Sequence, residues 1–334
     1  MTPPPSTLAD WLAEIHAARA RVAGLAVRTP LVPSPAFSAM AGAPVLFKPE
    51  LIQPPGSFKV RGAANKMRLV AEAHGAQGVV TFSTGNHARA VAWVAGQLGL
   101  AATVCVSERV PADKVAVLRR LGAQVVVAGE SQDAAGDVAR ELARERGLEM
   151  VHPFDDPAVI AGQGTIGLEL LEDCDALASV LVPLSGGGLI GGVAAALKAS
   201  GCAARIVGVT IARGGAMAAS LRHGHPVDVP EQETLADSLS GGIGLDNLYT
   251  FELARTCVDE VVELDESAIA ASVVAALRHE RYVIEGAAAV GIAALMTERV
   301  RLEGPTAIIL TGRQIGLDRL AQLVESDGGW SNDA

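Results

Sequence analysis

The chain has 334 residues, about two domains' worth at roughly 100–200 residues each. Half of them are hydrophobic, only 3% are aromatic, and 36 glycines are spread along the sequence rather than gathered in one tract, which excludes a disordered, collagen-like or small disulfide-stapled protein. With 27 Lys and Arg against 37 Asp and Glu the net charge is −10, and no basic stripe interrupts it, so nucleic acid is excluded as a partner.

Four cysteines, Cys105, Cys174, Cys202 and Cys257, stand far apart and form no CxxC, the pattern of small buried thiols rather than of zinc or a secreted framework. Apolar runs such as 287–296 reach half the roughly 20 residues a membrane span needs. The opening Met-Thr-Pro-Pro-Pro-Ser has neither the basic end nor the apolar stretch of a signal peptide. The expectation is a cytoplasmic protein with no membrane partner.

In chain order, apolar residues at Leu8, Trp11, Leu12, Ile15, Ala18 and Val22 predict an opening helix over 8–22. A stretch punctuated by Pro30, Pro33, Pro35 and Pro44 reads as extended chain, followed by a strand at 45–48. β-Branched runs then predict strands at 79–82, 103–107, 124–127, 179–184, 205–211, 260–264 and 306–310. Ala- and Leu-rich helical stretches lie between them, at 88–98, 113–121, 133–146 and 190–199. Continuous apolar strands alternating with helices indicate an α/β fold with mostly parallel sheets covered on both faces. The length favours two lobes with a cleft between them.

Three glycine motifs compete for a ligand. Gly186-Gly187-Gly188-Leu189-Ile190-Gly191 matches GxGxxG between a predicted strand and a helix, the setting of a dinucleotide loop. The following strand ends Thr210-Ile211-Ala212-Arg213, without the carboxylate that would hold a ribose. What remains is a loop whose N–H groups, at a helix start, suit a single phosphate. Gly162-Gln163-Gly164-Thr165-Ile166-Gly167 has no strand before it and reads as an N-terminal helical turn made for close packing. Ser83-Thr84-Gly85-Asn86-His87 follows a strand and opens a helix, a loop of hydroxyls, an amide and free N–H groups suited to a carboxylate. In Pro54-Pro55-Gly56-Ser57-Phe58-Lys59, the prolines and glycine fix a turn, Ser57 is placed to cap a helix, and Lys59 falls in its first turn, a candidate Schiff-base amine.

Taken together, these segments resemble the fold-type II pyridoxal-phosphate enzymes, in the threonine/serine dehydratase and serine racemase branch. The matching residues are Arg28-Thr29-Pro30-Leu31, Lys48-Pro49-Glu50, Gln53 to Ala63, Ser83 to His87, Ala161 to Ile166, Ser185 to Leu189, and Glu285-Gly286-Ala287, from about residue 28 to 320. The resemblance implies a tryptophan synthase β-like fold: a large pyridoxal-phosphate-binding domain from 1–68 and 151–334, with a small domain, 69–150, inserted into it. It implies pyridoxal 5'-phosphate as cofactor and a homodimer or other homo-oligomer. Lys59 would form the Schiff base and later move the Cα proton. Phe58 would pack on the cofactor ring, Asn86 would bond its 3-hydroxyl, and Thr311 would face its pyridine nitrogen. Ser185, Gly186, Gly187, Gly188 and Leu189 would hold the phosphate, while Ser83, Thr84 and His87 would receive the substrate carboxylate. The implied reaction is β-elimination from an L-3-hydroxy amino acid, giving a 2-oxo acid and ammonia.

Four positions depart from the family pattern. Ser185 stands where the common dehydratases have the first of four glycines, and Thr210 offers no carboxylate for the racemase-type metal, so no metal is expected there. Thr84 takes the place of the racemase serine, which keeps racemisation as an alternative. Thr311-Gly312-Arg313-Gln314 puts a cation near the expected ring, or into a surface ion pair. Together with Leu235 to Asn247, the pattern is similar to a sub-branch of hydroxyectoine-utilisation and phenylserine-type dehydratases. From another class, a non-catalytic small-ligand or nucleotide-binding protein could use the same glycine loops.

Overall fold

A computed structural model describes residues 4–73, 77–83 and 85–328. The chain runs through α1 (Leu8–Val22), β1 (Val32–Pro33), α2 (Pro35–Ala41), β2 (Val45–Lys48), α3 (Lys59–Glu72), β3 (Val79–Phe82), α4 (Asn86–Leu98) and β4 (Ala102–Val106). It continues through α5 (Ala112–Arg120), β5 (Gln124–Val127), α6 (Gln132–Arg146), β6 (Glu149–Met150), α7 (Pro157–Asp173), β7 (Ser179–Pro183), α8 (Gly188–Ala199) and β8 (Arg205–Ile211). The last elements are α9 (Ala216–His223), α10 (Thr250–Cys257), β9 (Glu260–Leu264), α11 (Glu266–Glu280), α12 (Gly286–Met296), β10 (Thr306–Ile309) and α13 (Leu317–Ser326).

Two sheets result. One has six strands in the order β1-β2-β10-β7-β8-β9, parallel except for the β1–β2 pair; the other has four parallel strands in the order β5-β4-β3-β6. Side-chain alternation splits each strand between two cores. In the larger sheet Leu181, Val207, Val209 and Ile308 face the core built with α11, α12 and α13. Val180, Val182, Ile206, Ala307 and Ile309 face the opposite core, built with α1, α7, α8 and α10. In the smaller sheet Val104 and Val106 pack with α4 and α5, while Val80, Phe82 and Cys105 pack with α6. Strands buried on both faces explain the unbroken apolar runs in the sequence. Among the described residues no helix is long and apolar enough to cross a membrane.

Three local readings need correction. The Pro-rich stretch is not all extended: Ser34 caps α2 by accepting from the Phe37 N–H, and Pro35 sits at the first helical position, where its missing N–H costs nothing. Ser57 does not cap α3; Phe58 occupies that position and Ser57 instead pairs with Gly312. The second GxGxxG lies inside α7, which begins earlier, at an Asp156 cap. Its role is close packing: a Cβ on Gly162 would lie 2.5 Å from the Arg61 carbonyl oxygen, so α3 and α7 approach backbone to backbone.

Behind that contact lies a buried charge network. Arg61 bonds both carboxylate oxygens of Glu50 (2.7 and 2.8 Å) and both of Glu169 (2.6 and 2.9 Å). Lys48 reaches Glu169 at 2.7 Å and the Thr29 carbonyl at 2.6 Å. Burial opposes the Arg61 charge, but the two carboxylates outweigh it and hold the guanidinium protonated. The same carboxylate–guanidinium pairing keeps Glu50 ionised despite complete burial. The network ties α3 to β2 and α7, and α3 begins with Lys59.

Candidate active site

A cavity of about 1070 Å³ opens at the carboxyl ends of β3, β6, β7 and β10. This is where open α/β sheets place their ligands, because the loops after the strands diverge there. Lys59, Phe58, Ser83, Asn86, His87, Ser185, Gly186, Gly187, Gly188, Leu189 and Thr311 all line it. The sequence motifs therefore converge on one space. Thr84 lies outside the described residues.

Lys59 is placed by its turn. The Phe58 N–H donates to the Thr311 carbonyl at 3.0 Å, and the Ser57–Gly312 bridge holds the preceding residue against the same segment. The turn is thus fastened to the chain leaving β10, and the first residue of α3 is set beside Thr311. The Lys59 amine donates to the Pro153 carbonyl at 2.7 Å and lies 5.3 Å from the Phe58 ring centroid. The side chain keeps some accessible surface, yet protein crowds the amine. Desolvation pulls its pKa down to about 8, with Glu285 pulling weakly the other way. An amine titrating there is available as a nucleophile near neutral pH.

The glycine loop is shaped for an anion. Gly187 caps α8 at φ 86°, a left-handed conformation that side-chain-bearing residues rarely adopt. The first N–H groups of α8 have no partner within the helix and point out of its positive end. Ser185 precedes them on the same cavity wall.

On the opposite wall, α4 begins at Asn86 after a Gly85 cap that makes no side-chain bond. The free N–H groups of this first turn, with the Ser83 hydroxyl, form the loop suited to a carboxylate. The His87 ring has no donor to spare: its Nε2 donates to the Val151 carbonyl at 2.9 Å, burial drives its pKa down to about 3, and Nδ1, buried with no partner among the described residues, is left as an acceptor. What His87 offers a carboxylate is therefore its backbone N–H.

Two cavity residues carry no role in the motif reading. Glu285 precedes α12 but does not cap it; its carboxylate turns to Asn86 Nδ2 (2.6 Å) and the Gln314 N–H (2.8 Å). Burial raises its pKa to about 7, against the lowering effect of the Gln314 N–H. In the sequence it stands in the Glu285-Gly286-Ala287 segment of the family resemblance, with no role attached to its carboxylate. His152 has no local signal; it becomes visible once β6 delivers it to the cavity. Arg313, by contrast, does not line this cavity. It is exposed and borders a separate cavity of about 340 Å³ with Pro54, Arg89 and Trp93. Thr210 is buried, and among the described residues no group of three or more His, Cys, Asp or Glu is placed to hold a metal.

Comparison with known proteins extends this picture. The chain is 49% identical over 281 residues to the "Putative threonine dehydratase" of Sinorhizobium fredii, covering 84% of this chain and 85% of that one. It is 42% identical over 299 residues to an L-threonine ammonia-lyase of Geobacter sulfurreducens, covering 89% and 74%. The solved structure of maize serine racemase superposes with a TM-score of 0.87 at 32% identity, covering 95% of this chain and 97% of that one. Residues 22–312 match the family described as "Pyridoxal-phosphate dependent enzyme", and with most of the chain inside that match, this protein belongs to the pyridoxal-phosphate dependent enzymes.

Proposed function

We propose that the protein deaminates an L-3-hydroxy amino acid by β-elimination, releasing a 2-oxo acid and ammonia. The observation that carries this reading is the Lys59 amine, lowered to about 8, lining one cavity with the α8 glycine loop and the α4 carboxylate loop. The names of the two sequence relatives, a threonine dehydratase and a threonine ammonia-lyase, support the same chemistry.

The residues present fit the cofactor. Among the described residues Asn86 Oδ1 is buried with no hydrogen-bond partner, an acceptor left open at the cavity wall. Gly187 to Leu189 present N–H groups where a phosphate would be held, and Phe58 offers a ring beside the amine. When bound, the cofactor aldehyde supplies a covalent link to the amino group and a sink for the Cα electron pair.

To the chain's own residues we assign the following parts. The backbone N–H groups at the start of α4, with Ser83, bind the substrate carboxylate and turn Cα toward Lys59. Lys59 would hold the cofactor through its amine, and the free amine takes the Cα proton as general base. Thr311 lines the same cavity and would hold the cofactor's ring nitrogen with a neutral hydroxyl, which would leave that nitrogen unprotonated. Ser83 and the His87 N–H complete the carboxylate site, and Thr84 is assigned to it on the family resemblance alone. We place the small domain at 69–150, with the remainder forming the large domain, and expect a homo-oligomer.

The test is ammonia release and 2-oxo acid formation from L-threonine, L-serine, 3-hydroxyaspartate and phenylserine. Turnover of at least one supports the reading. Formation of D-isomers without ammonia would replace it with racemisation, the activity named for the maize structural relative.

A further inference from the structure

His152 is used neither by the motifs nor by the steps above. Its ring lies edge-on between Phe82 and Phe154, with centroids 5.5 and 4.7 Å away. Phe82 ends β3 immediately before Ser83, and the Phe154 ring lies against Gly186, 2.4 Å from where a Cβ would be. The imidazole therefore stands on the wall between the carboxylate loop and the phosphate loop. Lys59 Nζ is anchored on the adjoining residue, at the Pro153 carbonyl.

The ring's protonation is set by its neighbours. The N–H groups of Phe154 (3.3 Å) and Asp155 (2.8 Å) both donate to Nδ1. A nitrogen accepting two N–H bonds carries no proton, so the proton of the neutral ring sits on Nε2. Burial keeps the ring neutral, pulling its pKa to about 4; Asp155 and Asp156 oppose this, and the charges of Lys59 and Arg140 reinforce it. His152 lines the cavity, and its only side-chain bonds among the described residues are those two at Nδ1. Nε2 is thus a fixed donor facing ligand space.

We infer that the His152 Nε2–H donates a hydrogen bond to the hydroxyl on the substrate's Cβ, the group that departs. The inference rests on the deamination reading and deepens it. In that reading the carboxylate is met at α4, the amino group at Lys59 and the cofactor phosphate at α8. The hydroxyl is the polar group of a 3-hydroxy amino acid still unmatched, and His152 Nε2 is an uncommitted donor on the wall that holds the amine. As the C–O bond breaks, oxygen gains negative charge, and a preorganised donor stabilises that state more than the ground state. No proton moves from the imidazole, which acts as a donor only: the Cα electron pair forms the Cα–Cβ double bond, the oxygen leaves with the C–O pair, and the proton that Lys59 Nζ took from Cα neutralises it to water.

The test compares holoenzyme forms of wild type, His152→Phe and His152→Gln on L-threonine and β-chloro-L-alanine, whose chloride departs without a donor. His152→Phe keeps an aromatic ring and is expected to lose about 10²-fold in kcat on threonine, the usual scale for one removed donor. On chloroalanine the loss should stay below roughly ten-fold, and His152→Gln, which restores an N–H, should recover most of the threonine rate. Equal losses on both substrates, no loss on either, or a uniform rise in KM would overturn the inference. Imidazole ¹⁵N spectra of the holoenzyme give a readout apart from turnover: a proton on Nε2 supports it and a proton on Nδ1 overturns it. Wild type that eliminates chloride but turns over no hydroxy amino acid sinks the deamination reading itself. Threonine turnover left intact in His152→Phe sinks only the inference.

Discussion

Asn86 Nδ2 donates to Glu285 Oε1 across 2.6 Å, joining residues 199 positions apart. The bond fixes which way the Asn86 amide points, turning the amino group to Glu285 and leaving Oδ1 as the open acceptor. Glu285 forgoes the α12 cap to do this, and its second oxygen holds the Gln314 N–H. A buried carboxyl in that position titrates near neutrality, its pKa raised to about 7 chiefly by desolvation.

That raised value has a sign in stability. Between pH 4.5 and about 7 the folded state holds a proton on Glu285 that the unfolded chain has released. The folded state binds more protons, so this group's contribution to stability falls as pH rises through that window. Glu285→Gln removes the term. Urea midpoints of the cofactor-free protein at pH 5 and pH 8 should show a smaller pH 5 advantage in the variant than in wild type.

The glycine loop predicts a selective loss of cofactor. A Cβ on Gly187 would lie 2.8 Å from Met217 Cε and 2.9 Å from Thr250 Cβ, in a φ that disfavours it. Gly187→Ala should strain the first turn of α8 and displace its N–H groups. Retention of the cofactor through dialysis, read from visible absorbance, should fall about ten-fold or more, equivalent to at least about 1.4 kcal/mol.

The Arg61 network predicts a structural cost. Replacing Arg61 with Met leaves Glu50 and Glu169 buried without their common partner. Breaking a buried pair in this way costs about 3–5 kcal/mol. The melting temperature of Arg61→Met should drop by several degrees. Lys59, on the same helix, should then hold its cofactor less tightly even though it is unchanged.

The β/α alternation was legible because buried parallel strands must be continuously apolar; the strands at 45–48, 79–82, 124–127, 205–211 and 260–264 have the expected bounds. Helices built largely of Ala and Gly were harder to see. The stretch Gly286–Met296 is apolar on every side because its whole surface is buried, so no amphipathic stripe marks it. α7 was disguised by glycines that serve helix contacts rather than a ligand. In the site, Lys59 and the glycine loop announce themselves because backbone geometry demands local residues. The roles of Glu285, which stood in a matching segment, and of His152, which stood in none, were not legible, since each acquires its role from partners delivered by other elements.

The claim that Lys59 carries the cofactor is tested most directly by reducing the holoenzyme with borohydride and mapping peptide masses. The account predicts that the visible band disappears and that the cofactor's mass is fixed on Lys59, with no such adduct in Lys59→Ala. Fixation on a different lysine, or an unreduced Lys59 in protein that has lost its colour, would contradict it.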